Sequence, residues 1–370
     1  MIYLDHAATS LLKPLAVERA AARAMRTMAS PGRGAHDPAM LAADTVFRCR
    51  EAAARLFHME EPERVVFTMN ATHGLNIAIR SLLSDGGVVT ISGFEHNAVT
   101  RPLHALGAKL RVAGRRLFDP EDTLRSFAAA IPGSELVVCT AVSNVFGYRL
   151  PLEEIAALCR REGAALIVDA SQAAGVLDLD FSALGAAFMA MPGHKGLLGP
   201  QGTGLLLCAG EGKPLLFGGS GSESRLQTMP EALPDRLEAG THNVCGIAGL
   251  LAGIEYVLAR GTPELLLHET ALLRQSLRIL RGADCQLFVG AAQTQTGVLS
   301  LRSHRLDCET LAAMLADRGI CVRSGLHCAP LAHESAGTLE TGTLRLSFSP
   351  LLDHRSVTDA CIVLRQLLDA

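Results

Sequence analysis

The 370-residue chain lacks several features that mark particular classes of protein. It has no Trp and three Tyr, which leaves few aromatic rings for stacking bases or sugars. Its 34 Lys and Arg do not outnumber its 37 Asp and Glu, so no basic field is available to neutralise a nucleic-acid backbone. Spanning a membrane takes about 20 apolar residues, and the candidate run Val244–Val257 is shorter and contains Glu255. We therefore expect no nucleic-acid partner, no membrane segment and, from the polar start Met1–Ser10, no signal peptide.

Paired cysteines are also missing. The ten cysteines are scattered singly and form no C-x-x-C motif, so a zinc ribbon is not indicated and we expect no metal site. A chain of this length does not need disulfides to stabilise it. The cysteines therefore predict a cytoplasmic protein with reduced thiols, most of them acting as small buried apolar side chains.

Short apolar runs alternate with helical patterns over the first 257 residues, which is typical of βαβ units with a mostly parallel sheet. The predicted strands are Val65–Phe67, Val88–Ile91, Leu136–Cys139 and Leu166–Val168, and the predicted helices are Thr72–Leu83, Ala98–Leu106, Glu121–Ala130 and Leu152–Glu162. We predict an α/β fold with a large domain, 11–257, and a smaller α+β domain formed by 1–10 and 258–370. The predicted elements of the smaller domain are helices Glu264–Leu280, Asp307–Asp317 and one from His354 on, and strands Gln286–Val289, Gly297–Leu301, Cys321–Arg323 and Thr343–Phe348.

The segment Pro192–Gly204 places Lys195 between an apolar, strand-like run and a glycine-dense loop. A lysine beside glycines is ordinarily a solvated residue of a turn. The alternative is a lysine held at a sheet edge, where it can form a Schiff base with a carbonyl cofactor. Asp169 favours the second interpretation, because pyridoxal phosphate (PLP) needs both a lysine and a carboxylate at its pyridine nitrogen. Asp169 ends a predicted strand, where ligands bind in open parallel sheets, although it could instead be a helix N-cap.

Polar residues follow other predicted strands as well. Asn70–Gly74 opens a helix whose free N–H groups suit a phosphate, with simple capping by Asn70 or Thr72 as the alternative. His96 and Asn144 follow the next two strands of the predicted parallel sheet. Because such strands end at one edge, we expect these groups to lie together.

The segment Arg323–Pro330 places Cys328 on a loop bounded by Gly and Pro, beside His327 and near Arg323. Such neighbours can lower the pKa of a thiol and make it nucleophilic. Arg345 is a candidate for binding a carboxylate in bidentate fashion, with a surface ion pair as the alternative.

These motifs resemble the class V, fold type I PLP enzymes, and among them the cysteine desulfurases and selenocysteine lyases. The resemblance runs almost from end to end. Two positions depart from the usual pattern of that family: Pro192 stands where Ser or Thr is common, and His73 where Glu is usual. The motifs that carry the resemblance are Tyr3–Thr9, Asn70–Gly74, Glu95-His96, Asp169 with Gln172, Gly193–Lys195, Glu238–Thr241 and Arg323–Cys328.

The resemblance implies the fold of the type I PLP-dependent transferases and a role for each matching residue. Lys195 forms the Schiff base and moves the proton, and Asp169 holds the pyridine nitrogen. His96 stacks on the ring and is also implied as a catalytic residue that assists proton transfer. The other implied cofactor-binding residues are Asn144 and Gln172 near the ring hydroxyl, Ala71, Thr72 and His194 at the phosphate, and Thr241 reaching across from a neighbouring subunit. The implied substrate-binding residues are Asn144, Arg323, Arg345 and, near that subunit interface, Arg33.

The implied activity is conversion of L-cysteine to L-alanine, with transfer of the sulfur to Cys328 as a persulfide. The implied assembly is a homodimer with shared active sites, which passes sulfur to an acceptor protein. Three alternatives remain open from the sequence: a class V aminotransferase, a lyase acting on L-selenocysteine, and a weakly active sulfur-relay partner.

Overall fold

The computed structural model describes residues 1–32 and 34–370, so the candidate Arg33 lies outside the described residues. Its strands are β1 Ile2–Tyr3, β2 Val65–Thr68, β3 Val88–Ser92, β4 Lys109–Ala113, β5 Leu136–Thr140, β6 Ala165–Asp169, β7 Phe188–Pro192, β8 Gly204–Cys208, β9 Cys285–Phe288, β10 Val298–Ser303, β11 Ile320–Cys321 and β12 Leu344–Ser347. Its helices are α1 Leu15–Thr27, α2 Asp37–Leu56, α3 Ala71–Leu82, α4 Asn97–Ala105, α5 Pro120–Ala130, α6 Leu152–Glu162, α7 Phe181–Leu184, α8 Val244–Arg260, α9 Thr262–Leu280, α10 Cys308–Ala316, α11 Pro330–Ala336 and α12 His354–Asp369.

A seven-stranded sheet in the order β2-β8-β7-β6-β5-β3-β4 forms the centre of the fold. Strands β4, β3, β5, β6 and β7 pair in parallel, and β8 pairs antiparallel with both β7 and β2. It follows that β2 runs in the same direction as β7 and that β8 alone is reversed. The predicted α/β fold with a mostly parallel sheet is confirmed.

The central strands form because their sequences are continuous apolar runs, which suit a sheet that is covered on both faces. All five residues of β5 and of β7 are buried. Alternate residues point to opposite faces, so Val137 joins the core on one face and Val138 the core on the other. Helix α6 begins after Pro151 and ends at Gly163, which has a φ of +69°. A proline suits the start of a helix because its φ is fixed near the helical value, and a glycine in the left-handed conformation commonly ends one.

The sequence patterns did not predict several of the elements. These are β1, α1, α2, β4, α7, β8, α8 and α11. The helix α8 is almost entirely apolar and largely buried, so it shows no amphipathic stripe that would mark it as a helix. It packs against α1 and α2. These contacts join parts of the chain that are far apart in sequence, so a local pattern does not predict them.

A smaller three-stranded sheet, β12-β10-β9, and the parallel pair β1-β11 lie apart from the central sheet. The predicted strand Cys321–Arg323 is shorter than expected, because Arg323 forms only an isolated bridge with Arg345. Leu4 shares a core with side chains of α9, α10 and α12, which joins the N-terminus to the C-terminal part of the chain. This shared core supports the division into 11–257 and 1–10 with 258–370, which we keep as a proposal.

Among the described helices, none is by itself long and apolar enough to cross a membrane. The pair α8 and α9 reaches the required length only together, and the two helices bend by 85° at the break between them.

Candidate active site

The strands β2, β3, β5, β6 and β7 share one direction, so their carboxyl ends meet at one edge of the central sheet. A cavity opens at this edge and is lined on its other side by Arg323, His327 and Cys328, which precede β12, and by Arg345 on β12. Most of the predicted site residues line it. They are Ala71, Thr72, His96, Asn144, Asp169, Gln172, His194, Lys195, Arg323, Cys328 and Arg345.

Lys195 lies in the loop that follows β7. This loop is held by the backbone bond from Ser10 N to the carbonyl oxygen of His194, at 2.8 Å. A Cβ on Gly175 would lie 2.3 Å from the carbonyl oxygen of Gly196, so only a glycine allows these two segments to approach so closely. Burial lowers the pKa of Lys195 to about 8, and the nearby Asp169 carboxylate opposes this shift. A large fraction of the amine is therefore neutral near pH 8, as a nucleophilic lysine requires.

Asp169 is the last residue of β6 and is 2% exposed. Its Oδ1 accepts a hydrogen bond of 2.9 Å from the backbone N–H of Ser171. A turn, and no helix, follows Asp169, so the alternative of a helix N-cap is wrong. Gln172 shares the turn and donates from Nε2 to the carbonyl oxygen of Ala7, at 2.9 Å.

The N-terminus of α3 faces the cavity through Ala71 and Thr72. The Asn70 side chain accepts from the N–H of His73, so the capping interpretation is confirmed for Asn70. The first N–H groups of a helix lack intrahelical acceptors and carry the positive end of the helix dipole. Beside them, a Cβ on Gly204 would lie 2.9 Å from the backbone of Asn70. Gly204 thus lets β8 pass close to Asn70, which precedes the N-terminus of α3, a segment that suits an anion.

His96 precedes α4 and caps it, because its ring Nδ1 accepts from the N–H of Ala98 at 3.0 Å. Burial lowers the pKa of His96 to about 4; the Asp169 carboxylate opposes this shift and Lys195 adds to it. The imidazole is consequently neutral near pH 7 and presents an aromatic surface to the cavity.

Arg345 on β12 is 1% exposed, so the alternative of a surface ion pair is wrong. Its Nη2 donates to Oδ1 of Asp5 at 2.6 Å, and its Nη1 donates to the carbonyl oxygen of Asn144 at 2.9 Å. Its Nε is buried and has no hydrogen-bond partner among the described residues. A buried N–H of a guanidinium without an acceptor is costly, and a bound carboxylate would satisfy it.

Cys328 is the exposed member of the ten cysteines; the others are buried or partly buried, and none forms a disulfide. His327 and Cys328 have φ values of +50° and +57°, a conformation that non-glycine residues adopt at a cost of about 1–3 kcal/mol each. Their carbonyl oxygens hold the turn in place by accepting from Asn144 Nδ2 and from the N–H of Asn97, both at 2.8 Å. The Cys328 thiol therefore faces the cavity from a strained turn that these two hydrogen bonds hold in place.

His327 does not act on Cys328 as the sequence suggests. It is 5% exposed, its Nε2 lies 3.2 Å from Thr343 Oγ1, and its ring stacks on His333. Burial lowers the pKa of His327 to about 2, and the Arg345 and His333 charges lower it further. A neutral imidazole supplies no positive charge to stabilise the thiolate, so this part of the expectation is wrong.

Thr241 lies in a different cavity, beside Glu238 and His242.

Two residues important to these sites were not singled out from the sequence. Asp5 had a signal, since it lies in the quoted motif Tyr3–Thr9. Arg50 had none, because a lone arginine in a helix ordinarily faces solvent, whereas this one forms a bidentate pair with Glu238 at 2.7 and 2.8 Å.

The model of the class-V aminotransferases matches residues 2–358 of the chain. The chain belongs to this family. It is 34% identical over 362 residues to a probable cysteine desulfurase of Methanothermobacter thermautotrophicus, which covers 94% of this chain and 89% of that protein. It is 33% identical over 350 residues to a cysteine desulfurase of Klebsiella pneumoniae, with coverages of 89% and 84%. The apo structure of a cysteine desulfurase from Thermococcus onnurineus superposes with a TM-score of 0.91 at 30% identity, over 99% of this chain and 94% of that one.

Members of the class-V aminotransferase family depend on PLP, and the residues of the cavity fit this cofactor. The amine of Lys195, the buried carboxylate of Asp169 and the neutral ring of His96 match an aldehyde, a pyridine nitrogen and an aromatic face, respectively. The N-terminus of α3, which faces the cavity through Ala71 and Thr72, matches a phosphate. The donor set therefore suits PLP in chemistry and in charge.

Proposed function

We propose that this chain is a PLP-dependent cysteine desulfurase, which converts L-cysteine to L-alanine and takes the sulfur onto Cys328 as a persulfide. The observation that carries the proposal is the exposed Cys328 thiol on the same cavity as Lys195 and Arg345. The resemblance to desulfurases over most of the chain supports it. An aminotransferase needs no thiol at this position, so the placement of Cys328 argues against that alternative.

The cofactor would be held by Lys195, Asp169, His96 and Gln172, and its phosphate by Ala71, Thr72 and His194. When bound, PLP supplies an electron-withdrawing ring that stabilises negative charge on the α-carbon of an amino acid. The Asp169 carboxylate would hold the pyridine nitrogen of the bound cofactor and favour its protonated form.

Substrate binding is the role we propose for Arg345, Asn144 and Arg323. Arg345 offers its unpartnered Nε to the substrate carboxylate, while Asp5 and the Asn144 carbonyl hold the rest of the guanidinium in a fixed orientation. Because the arginine is held before substrate arrives, little side-chain entropy is lost on binding. This fixed anchor orients the substrate sulfur relative to Cys328.

The sulfur transfer moves one hydrogen from sulfur to carbon. The Cys328 thiolate attacks the substrate sulfur, the S–S bond forms, and the bond between that sulfur and the β-carbon breaks. The carbon takes up a proton, so that alanine and a persulfide on Cys328 are the products. Lys195 Nζ takes the α-proton of the substrate and later donates a proton to the product. A pKa of about 8 suits both steps, because a group whose pKa lies near neutral pH can both accept and donate a proton.

Further parts of the proposal concern the state of the protein in the cell. We propose a homodimer in which Thr241 of one subunit contacts the phosphate bound by the other, since Thr241 is exposed and lies outside its own subunit's cavity. We also propose a cytoplasmic location and a thiol-bearing sulfur-acceptor protein, because the exposed Cys328 must remain reduced to carry sulfur.

The test supplies L-cysteine to the PLP-loaded protein and measures alanine and protein-bound persulfide. We expect wild type to form both in equal amounts in a first turnover, and Cys328→Ala to form neither above background. The control is Cys285→Ala, which removes a partly buried thiol from β9 and leaves the reaction unchanged. Unchanged alanine formation by Cys328→Ala, or amino-acid formation that requires a keto acid, would reject the proposed function.

A further inference from the structure

A second cavity, of about 40 Å³, lies next to the active-site cavity. The two share Ala7, Gln172 and Lys195 in their linings. The second cavity extends from Lys195 towards α9 and the end of β12, away from Cys328. A water molecule needs about 10–15 Å³ of such space, so the cavity has room for a short chain of water molecules that reaches Lys195.

Two ionisable side chains that the proposed mechanism does not use line this cavity. Glu269, on α9, is 7% exposed, and its carboxyl group has no hydrogen-bond or ionic partner among the described residues. His6 is 6% exposed, and neither of its ring nitrogens has a partner in the same part of the chain. Buried polar groups are almost always paired with protein or with water, because leaving them unpaired costs about 1–3 kcal/mol each. Both side chains therefore point to water in the cavity.

The groups that titrate around this cavity are His6, Lys195 and Glu269. Burial raises the pKa of Glu269 to about 8, and no charged neighbour contributes to that shift. Burial lowers the pKa of His6 to about 4, and the Lys13 charge also lowers it. At neutral pH, Glu269 thus carries a proton and His6 is neutral. Burial lowers the pKa of Lys195 to about 8, so Glu269 and Lys195 have similar pKa values and are matched for proton exchange.

We propose that Glu269 stores a proton and exchanges it with Lys195 through water in the second cavity. The inference rests on the proposed function, in which Lys195 Nζ must take one proton and return another within each turnover. In the exchange, the neutral Glu269 carboxyl loses a proton to water, water passes a proton to the Lys195 amine, and a carboxylate and an ammonium result. The reverse transfer restores the starting state, so no other reactant is needed. Glu269 acts through water and does not touch the substrate.

The first arm of the test measures the proton itself in protein free of cofactor. Infrared difference spectra taken against pH should show the C=O stretch of a protonated carboxylic acid that disappears as the pH rises through about 8. Burial also raises the pKa of Glu95 to about 8, so this second carboxyl contributes to the same signal. Glu269→Gln should therefore lose only the part that Glu269 contributes. The control Glu264→Gln, which changes an exposed carboxylate in the first turn of the same helix, should keep the full wild-type signal. Identical signals from wild type and Glu269→Gln at pH 7 would overturn the proposal.

The second arm measures L-cysteine turnover against pH. Glutamine has the shape of a neutral glutamic acid, so a purely structural role for Glu269 leaves kcat and its pH profile unchanged in Glu269→Gln. We expect instead a kcat about tenfold lower at pH 7, with KM retained. The ratio of wild type to variant should fall towards one above pH 8, where wild-type Glu269 has lost its proton. Equal kcat values and identical pH profiles for wild type and Glu269→Gln would overturn the proposal. Wild-type activity that requires a monovalent cation, with no such requirement in Glu269→Gln, would also overturn it, because Glu269 would then bind a cation and not a proton.

The two arms separate this inference from the proposed function. A wild-type protein that does not release alanine from L-cysteine contradicts the proposed function. The infrared arm still decides in that case whether Glu269 stores a proton, because it needs neither cofactor nor substrate.

Discussion

Arg345 shows how one residue combines a structural and a binding role. Two of its nitrogens are engaged by Asp5 and by the Asn144 carbonyl, and one remains for a ligand. A fixed guanidinium with one free donor distinguishes a substrate that carries a carboxylate from an amine that lacks it.

We predict that Arg345→Lys raises the KM for L-cysteine by about 10- to 100-fold, the value of a lost hydrogen bond to a charged group. The lysine keeps a positive charge for Asp5 but loses the planar fork. Cysteamine, which is L-cysteine without the carboxylate, should inhibit wild type and variant equally. The measurements are the two kinetic constants, with Arg302→Lys on the neighbouring β10 as the control. Equal weakening of cysteamine and L-cysteine would contradict a role in binding the carboxylate.

At the scale of elements, a buried ion pair joins α2 to the segment that carries Thr241. Arg50 and Glu238 are each almost fully buried, and Glu238 also accepts from the N–H of Phe67 at 2.6 Å and contacts His242 at 3.0 Å. Arg50 in addition lies over the ring of Phe67, at 4.4 Å from its centroid. Every oxygen of the carboxylate is engaged, which keeps the pKa of Glu238 below its ordinary value: burial raises it, and Arg50 and His242 more than offset this.

We predict that Arg50→Met lowers the free energy of unfolding by about 3–5 kcal/mol, because it leaves the Glu238 carboxylate buried without its partner. Arg48→Met is the matched control on the same helix. Its exposed pair with Glu255, at 3.2 Å, should contribute less than about 1 kcal/mol. Denaturant unfolding of the cofactor-free proteins measures both. Similar losses for the two variants would show that burial of the pair is not the cause.

At the scale of the whole molecule, large apolar side chains remain on the surface of the single chain. Met25 is 69% exposed, Met40 58% and Phe217 77%. Apolar groups of this size at the surface are common where proteins associate. Together with the position of Thr241 outside the active-site cavity, they support the proposed dimer.

We predict that sedimentation equilibrium gives a mass of about twice the 39.1 kDa of the chain. If the sites are shared, Lys195→Met and Thr241→Glu should each be inactive alone, the second because its carboxylate repels the phosphate. Co-expressing them should restore activity, since each mixed dimer contains one site with both native residues. Co-expressing Lys195→Met with Lys195→Ala is the control that cannot restore it. A monomeric protein, or no recovery in the mixed sample, would contradict the shared site.

The sequence alone was sufficient to predict most of the parallel strands, although not β4, and the polar groups at their ends. Continuous apolar runs specify buried strands. Asp169 ends one of these strands, and His96 and Asn144 each lie in the loop that follows another. Lys195 and Cys328 could be identified because their loops have local signals, glycines and a proline, that do not depend on distant contacts. Motif order along the chain then indicated the family.

Only the tertiary structure decided what depends on contacts between distant parts of the chain. The burial of Arg345 depends on Asp5, which is 340 positions away, and the pairing of Arg50 with Glu238 spans 188 positions. His327 was expected to help the neighbouring thiol, yet packing turns it towards Thr343 and His333. Glu269 looks like any helix glutamate in the sequence, and it becomes a proton site only because folding buries it beside Lys195. The desolvation that shifts these pKa values is a property of the packed interior, which no local pattern of residues encodes.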